Sequence, residues 1–336
     1  MPDSVPAPQS ILFINVSRIG DTLLATPALR AVARAWPDAA LVFLGHPHRS
    51  EVVCNLPFVS RVGAITKRRA QWKGWLSGER HDIAIVLGFD RALVEYALRV
   101  ANRVVAFAQG HPALDRRLYR AVPRPGFQAL HSAEIPLLLT RALGVPDAGM
   151  RLAYSVTVSE AAAASRLLSE HGIAGKHPLV GLQMSSFPTK AYRNWPLEGF
   201  NKLALRITSH APHAHLVLLG GAADRRSNAT IVERLPGRAT DLAGTLSLRQ
   251  SAAVMSKLDL YIGVDTGPTH IMGALEGPMV ALYHCYSPSR LLRPLERQNF
   301  YAVDHPRGEG CSPETPMGEM SVDMVWIKVR EALGRQ

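Results

Sequence analysis

Cysteine is scarce in this chain of 336 residues: three occur, Cys54, Cys285 and Cys311, far apart and without Cys-x-x-Cys spacing. That pattern speaks against both a disulfide framework and a zinc knuckle, and a reducing cytoplasm is expected. Long hydrophobic runs are missing as well. Segments such as "ILFINV" and "LYIGV" are strand-sized, far below the ~20 apolar residues of a membrane span, so a soluble chain is expected. The opening "MPDSVPAPQS" has neither a basic n-region nor an apolar h-region, which leaves no secretory signal in view and reads as a disordered leader. No Gly-x-Gly-x-x-Gly fingerprint occurs, so a nicotinamide dehydrogenase is disfavoured.

What is present is basic charge and a regular alternation. The formal net charge is +11, and it is uneven: residues 1–155 hold 19 Lys/Arg against 11 Asp/Glu, the remainder 19 against 16. Two stretches of the first half concentrate it, "KRRAQWKGWL" (67–76) and "RRLYRAVPR" (116–124). The first mixes cations with Trp72 and Trp75. It suits an anionic membrane surface, where each cation gains roughly 1 kcal/mol, and equally a solvated face whose tryptophans turn inward. No nucleic-acid-binding motif accompanies the charge.

Short apolar runs alternate with helical patterns: "ILFINV" then 22–35, "ALVFLG" then 47–55, "DIAIVLG" then 90–101, and "RVVAF" with a helix near 130–143. After a helical stretch at 159–171 the pattern restarts. "PLVGLQ", "HLVLLGG", "TDLAG", "LDLYIGV" and "PMVALY" are separated by helical patterns at 196–210, 224–234, 247–256 and 266–276. Strands that are apolar almost throughout read as parallel strands covered on both faces. Two α/β domains are expected, 1–157 and 158–336, each a doubly wound parallel sheet. Residues 286–318 read as a long loop before a last helix at 321–333.

Open parallel sheets bind ligands beyond the carboxyl ends of their strands, so the segments leaving strands are the places to look. "NVSRIGDTLLATPALRAV" (15–32) leaves the first strand; there Gly20 would supply a tight turn and Asp21 would stand at or just before the helix start, as a simple N-cap or as a functional acid. "YIGVDTGPTHIMGALEGP" (261–278) is the second. With Asp265 as N-cap, Thr266 and the first-turn amides at the positive helix end face outward, Gly267 offers no side chain to obstruct a phosphate, and Pro268 fits the first turn. His270 reads either as a satisfied polar side chain or as a ligand contact. "GLQMSSFPTKAYRNWP" (181–196) offers Ser185, Ser186, Thr189, Lys190 and Arg193, hydroxyls and cations that suit a diphosphate but are also common in an ordinary polar loop. The histidines of "HAPHAH" (210–215) lack an adjacent cysteine or acid, and no metal site is expected there.

With these residues in view the chain resembles the ADP-heptose:lipopolysaccharide heptosyltransferases, glycosyltransferase family 9. The resemblance spans nearly the whole chain. It is carried by "SRIGDTLLATPALRAVARAWPDAALVFL", "SSFPTKAYRNWP", "LVLLGGAADR" and "DLAGTLSLRQSAAVMSKLDLYIGVDTGPTHIMGALEGPMVALY", in that order. It implies a GT-B architecture: two Rossmann-like domains facing across a cleft, the first binding the acceptor, the second the nucleotide sugar, the last helix often packing back on the first. It implies that Asp21 is the general base and that Asp265, Thr266, Gly267 and His270 bind donor phosphates, with Arg193 or Lys190 adding positive charge. Where many members carry Lys before x-Trp-Pro, this chain carries Arg193. The donor would be ADP-heptose, used as a substrate without further cofactor. The acceptor would be an anionic glycolipid of the lipopolysaccharide inner core, reached by peripheral contact with the cytoplasmic face of the inner membrane. No Asp-x-Asp occurs, so metal dependence is not expected. The competing expectations are a GT-B enzyme using another nucleotide sugar, an epimerase, or a non-catalytic binding module on the same fold.

Overall fold

The computed structural model describes residues 7–73, 79–126, 128–308 and 310–334. The chain divides into two units, Met1–Ser155 and Val156–Gln336. In the first unit, β1 (Ser10–Asn15), β2 (Ala40–Gly45), β3 (Arg61–Ala64), β4 (His81–Val86), β5 (Ala101–Phe107) and β6 (Arg120–Val122) form one sheet in the order β3-β2-β1-β4-β5-β6. Every neighbouring pair is parallel. Leu12, Ile14, Ala84, Val86 and Val104 from the strands meet Val94 and Ala97 of the helix Arg91–Val100 in a dry core.

The second unit repeats the plan. β7 (Leu179–Gln183), β8 (His215–Leu219), β9 (Ala239–Asp241), β10 (Leu260–Val264), β11 (Met279–Tyr283) and β12 (Phe300–Asp304) are ordered β12-β11-β10-β7-β8-β9, again all parallel. Read from its own first strand, this is the order of the first unit. Each sheet reverses its winding once, between β1 and β4 and between β7 and β10. At such a reversal the loops leave to opposite faces and a crevice opens at the carboxyl ends of the two central strands. Asp21 follows β1; the 185–193 segment follows β7, and Asp265 follows β10.

Three edge strands lie where the sequence reads as loop: β3, β6 inside the basic 116–124 stretch, and β12 inside 286–318. β3 and β6 are short, open on arginine and are partly exposed, so they lack the continuous apolar run that marks the interior strands. The apolar run of β12, residues 300–303, is brief and stands among Pro and polar residues. The helix expected over 22–35 is two helices, Ile19–Leu24 and Thr26–Ala35. Pro27 has no N–H to continue the first and takes the start of the second, where none is needed. The expectation of a ten-residue disordered leader fails at its end, where the Gln9 amide donates to Asp82 Oδ2 at 2.7 Å and β1 begins at Ser10; residues 1–6 lie outside the described residues.

The last helix, Val322–Leu333, buries Val325, Val329 and Ala332 in the core of the second unit. Trp195 is buried there too, its indole N–H donating to the Met320 carbonyl at 2.8 Å just before that helix. Among the described residues no helix is long and apolar enough to cross a membrane. Trp72 is 79% exposed, so it does not turn inward; Trp75 lies outside the described residues. Cys285 and Cys311 form a disulfide across 26 residues, correcting the expectation that the cysteines would not pair.

Candidate active site

In the first unit, the turn after β1 delivers Asp21 at the start of Ile19–Leu24. The N-cap is Arg18, which caps through no side-chain bond; Gly20 is helical, and Asp21 sits inside the first turn. The expected Gly20 turn and Asp21 cap are therefore not what forms. Thr22 makes the local closure instead, its hydroxyl donating to the Arg18 carbonyl at 2.9 Å. That leaves the Asp21 side chain exposed, in the acidic first turn that the helix dipole favours.

In the second unit β10 runs directly into the signature. The Asp265 amide donates to the Leu282 carbonyl at 3.0 Å, extending the ladder by one residue. Its carboxylate is completely buried and does not cap the following helix, correcting the cap expected from sequence; the N-cap is Thr266, in extended conformation, with no side-chain cap bond. Oδ2 of Asp265 lies 2.6 Å from Arg193 Nη1, and Oδ1 lies 3.3 Å from His270 Nε2. The first is a contact between opposite charges and the second a polar contact, both without aligned hydrogen-bond geometry on the carboxylate oxygens. An unpaired carboxylate in so dry a place would be prohibitively costly, so Arg193 answers Asp265 before it can answer any ligand.

Arg193 is held on its other edges as well. Nη2 donates to Ser287 Oγ at 3.0 Å, Nε donates to the Tyr192 hydroxyl at 3.3 Å, and the guanidinium carbon lies 5.5 Å from the Tyr192 ring centre. Lys190 Nζ also lies 5.5 Å from that ring. Burial alone would raise the Tyr192 phenol, but the Ser287 hydrogen bond and the Arg193 and Lys190 charges outweigh it and hold its pKa below the ordinary value. Beyond this cluster, Thr266, Gly267 and Pro268 open the helix Gly267–Leu275, whose first amides have no intrahelical acceptor. Thr269 fixes the helix to the sheet by donating to the Val264 carbonyl at 2.5 Å, with the Tyr261 hydroxyl at 2.9 Å.

The structure thus brings Arg193, Asp265 and His270 together and places Thr266 and Gly267 at the adjoining helix start. Ser186 is engaged locally, its Oγ 2.6 Å from the Lys190 carbonyl and 2.8 Å from Asn194 Oδ1, which shapes the turn carrying Lys190 and Arg193. The Ser185 carbonyl accepts from the Gln183 side chain at 2.9 Å, and Thr189 is exposed. Tyr192 and Ser287 are additions from the structure; Tyr192 stood inside a quoted segment, whereas Ser287 had no signal in the Pro-rich stretch. His284, Cys285 and Cys311 place ligand-type atoms within 4.8 Å of one another. However, the sulfurs are joined to each other, and both ring nitrogens of His284 are engaged, one with the Thr315 carbonyl and one with the Tyr286 amide. Of the "HAPHAH" histidines, His210 packs edge-on against Trp326 and His215 lies 2.8 Å from Thr240 Oγ1. A cavity of about 280 Å³ between Val158–Glu170 and Leu248–Met255 is lined by none of the candidate residues.

Comparison with known proteins bears out the family resemblance. The family model of glycosyltransferase family 9 (heptosyltransferase) matches residues 80–315. A lipopolysaccharide core heptosyltransferase of Haemophilus influenzae, OpsX, is 21% identical over 304 residues, 86% of this chain and 83% of that one. A glycosyltransferase family 9 structure from Veillonella parvula superposes with a TM-score of 0.82 at 19% identity, covering 98% of each chain. The Escherichia coli ADP-heptose lipopolysaccharide heptosyltransferase II structure gives 0.78 at 18% identity, covering 97% of this chain and 99% of that one. The two doubly wound sheets are the GT-B fold of these structures.

Proposed function

The chain belongs to glycosyltransferase family 9, and from that premise we propose that it is an inverting heptosyltransferase moving heptose from ADP-heptose onto an anionic inner-core glycolipid. Inverting transfer has two demands: the acceptor hydroxyl must lose its proton as it attacks the anomeric carbon, and the departing nucleoside diphosphate must be stabilised as its charge grows. Asp21, exposed in the turn after β1, is the carboxylate for the first demand. The start of Gly267–Leu275, with Arg193 and Lys190, answers the second. The first-turn amides of a helix start lack intrahelical acceptors and its dipole favours negative charge, which suits a diphosphate.

The observation that carries this reading is the buried Asp265, engaged by both Arg193 and His270 at the carboxyl end of β10. A carboxylate repels a phosphate, so its contribution is to fix the guanidinium beside the amide-lined turn. With Arg193 charge-balanced from behind, Lys190, the amides and the guanidinium N–H groups left over by Asp265, Ser287 and Tyr192 together hold the diphosphate.

The +8 formal balance of residues 1–155, which is 19 minus 11, fits an acidic acceptor at the cytoplasmic membrane face. There Trp72, with Lys67, Arg68, Arg69 and Lys73, makes a peripheral contact. The test is incubation with a panel of nucleotide sugars and truncated glycolipid cores, with products weighed by mass spectrometry. Heptose added from ADP-heptose is expected; transfer of a different sugar, epimerised donor, or donor binding without any product each selects a competing reading.

A further inference from the structure

We infer that the Cys285–Cys311 disulfide is a redox-sensitive strap that positions Arg193 for the donor, an inference resting on the donor seat described above. β11 ends at Tyr283, and His284–Ser287 then turns so that Ser287 meets Arg193. The turn is closed by the Ser287 amide donating to the His284 carbonyl at 2.8 Å. His284 is fully buried; its Nε2 N–H donates to the Thr315 carbonyl at 2.8 Å, and its Nδ1 accepts from the Tyr286 amide at 3.1 Å. The Tyr192 ring stands edge-on to His284 at 5.0 Å and to Tyr286 at 6.2 Å. Ser287, which holds Nη2 of the guanidinium, therefore sits in the turn that carries Cys285, and Tyr192, which holds Nε, packs against His284 and Tyr286 on either side of that cysteine.

The contacts supporting this turn are single hydrogen bonds and ring edges, each worth little alone. The bond to Cys311 adds a covalent tie to the segment whose Thr315 receives His284, and a cross-link restricts chain freedom in a way such contacts cannot. Cleavage by a dithiol converts the bridge into two thiols: each sulfur takes one electron and one proton, and the reductant closes its own disulfide. Asp265 still pairs with Arg193, so the fold persists. What is lost is the fixed position of Ser287 Oγ, and with it the aim of Nη2. Disulfides in reducing compartments are mostly of this transient, sensing kind.

The experiment is calorimetric titration of ADP into three proteins: oxidised, reduced with dithiothreitol, and carrying Cys285→Ser with Cys311→Ser. Each is repeated with Arg193→Ala, and amide exchange is followed at 190–194. Reduction and the serine pair are expected to raise the ADP Kd roughly fivefold, equivalent to about 1 kcal/mol, and to speed exchange at 190–194, with no redox dependence once Arg193 is removed. Equal affinity of the oxidised and reduced proteins, with Arg193→Ala still weakening ADP, overturns the strap while sparing the donor seat. Restoration of the reduced protein by zinc overturns it in favour of a metal clasp at His284, Cys285 and Cys311. If Arg193→Ala leaves ADP affinity of the oxidised protein unchanged, the donor seat itself falls and the strap falls with it.

Discussion

Replacing Asp265 with Asn removes one charge from a pair whose side chains are 0% and 17% exposed and whose nearest atoms are 2.6 Å apart. Asn has the same shape and can accept a hydrogen bond, so packing is unchanged and the effect isolates the charge. Arg193 cannot lose its proton, and it is left mostly buried and uncompensated. Breaking a buried pair from one side costs about 3–5 kcal/mol, or roughly 6–20 °C in the melting of a domain of this size. Arg193→Met strands the carboxylate instead, but His270 Nε2 stays 3.3 Å from Oδ1 as a polar partner, so that loss is smaller. The double variant carries neither charge and should recover part of the loss, with a coupling of roughly 2 kcal/mol. Calorimetric unfolding of the four proteins measures all of this. A loss below about 1 kcal/mol in Asp265→Asn, or strict additivity in the double variant, refutes the argument that Asp265 is neutralised by Arg193.

Acid should weaken the fold through His215. Burial, with Lys176 and Arg238 nearby, lowers its pKa to about 4, so the native state refuses a proton that the unfolded chain accepts below about 6.5. Stability therefore falls as the pH drops from about 6.5 towards 4, by up to roughly 3 kcal/mol from this group. His215→Gln should flatten that part of the profile in urea titrations at stepped pH, and an unchanged slope would remove His215 as its cause. On anionic vesicles, Trp72→Ala and neutralisation of Arg68 and Arg69 should each reduce co-sedimentation, and high salt should release the wild type. Retention at about 1 M salt, well past the Debye screening range, would contradict an electrostatic peripheral contact.

Both sheets were legible because buried parallel strands are apolar without interruption, and the helices between them carry their own period. The edges were not. β3 and β6 are four and three residues long and carry arginine, and β12 offers only the brief apolar run 300–303 inside a stretch otherwise rich in Pro and polar residues. At the candidate site, the position of "DTGPTH" at a strand's carboxyl end was readable, but the role of its first residue was not. An acid preceding Thr-Gly-Pro has the local form of an N-cap; only the arrival of Arg193 from the segment after β7 shows that Asp265 faces inward. Ser287 and the Cys285–Cys311 bridge depend on a return of chain from β12 that no local pattern encodes.

The division of roles between Asp21 and the turn at Thr266 and Gly267 is tested most directly by Asp21→Asn, assayed for turnover with ADP-heptose and for ADP affinity in the same preparation. The side chain is exposed and the substitution isosteric, so the fold and the nucleotide seat should be untouched. Turnover should drop by about 10²–10⁴-fold, the usual worth of a placed general base, with ADP affinity unchanged. Full turnover in the variant would contradict the account.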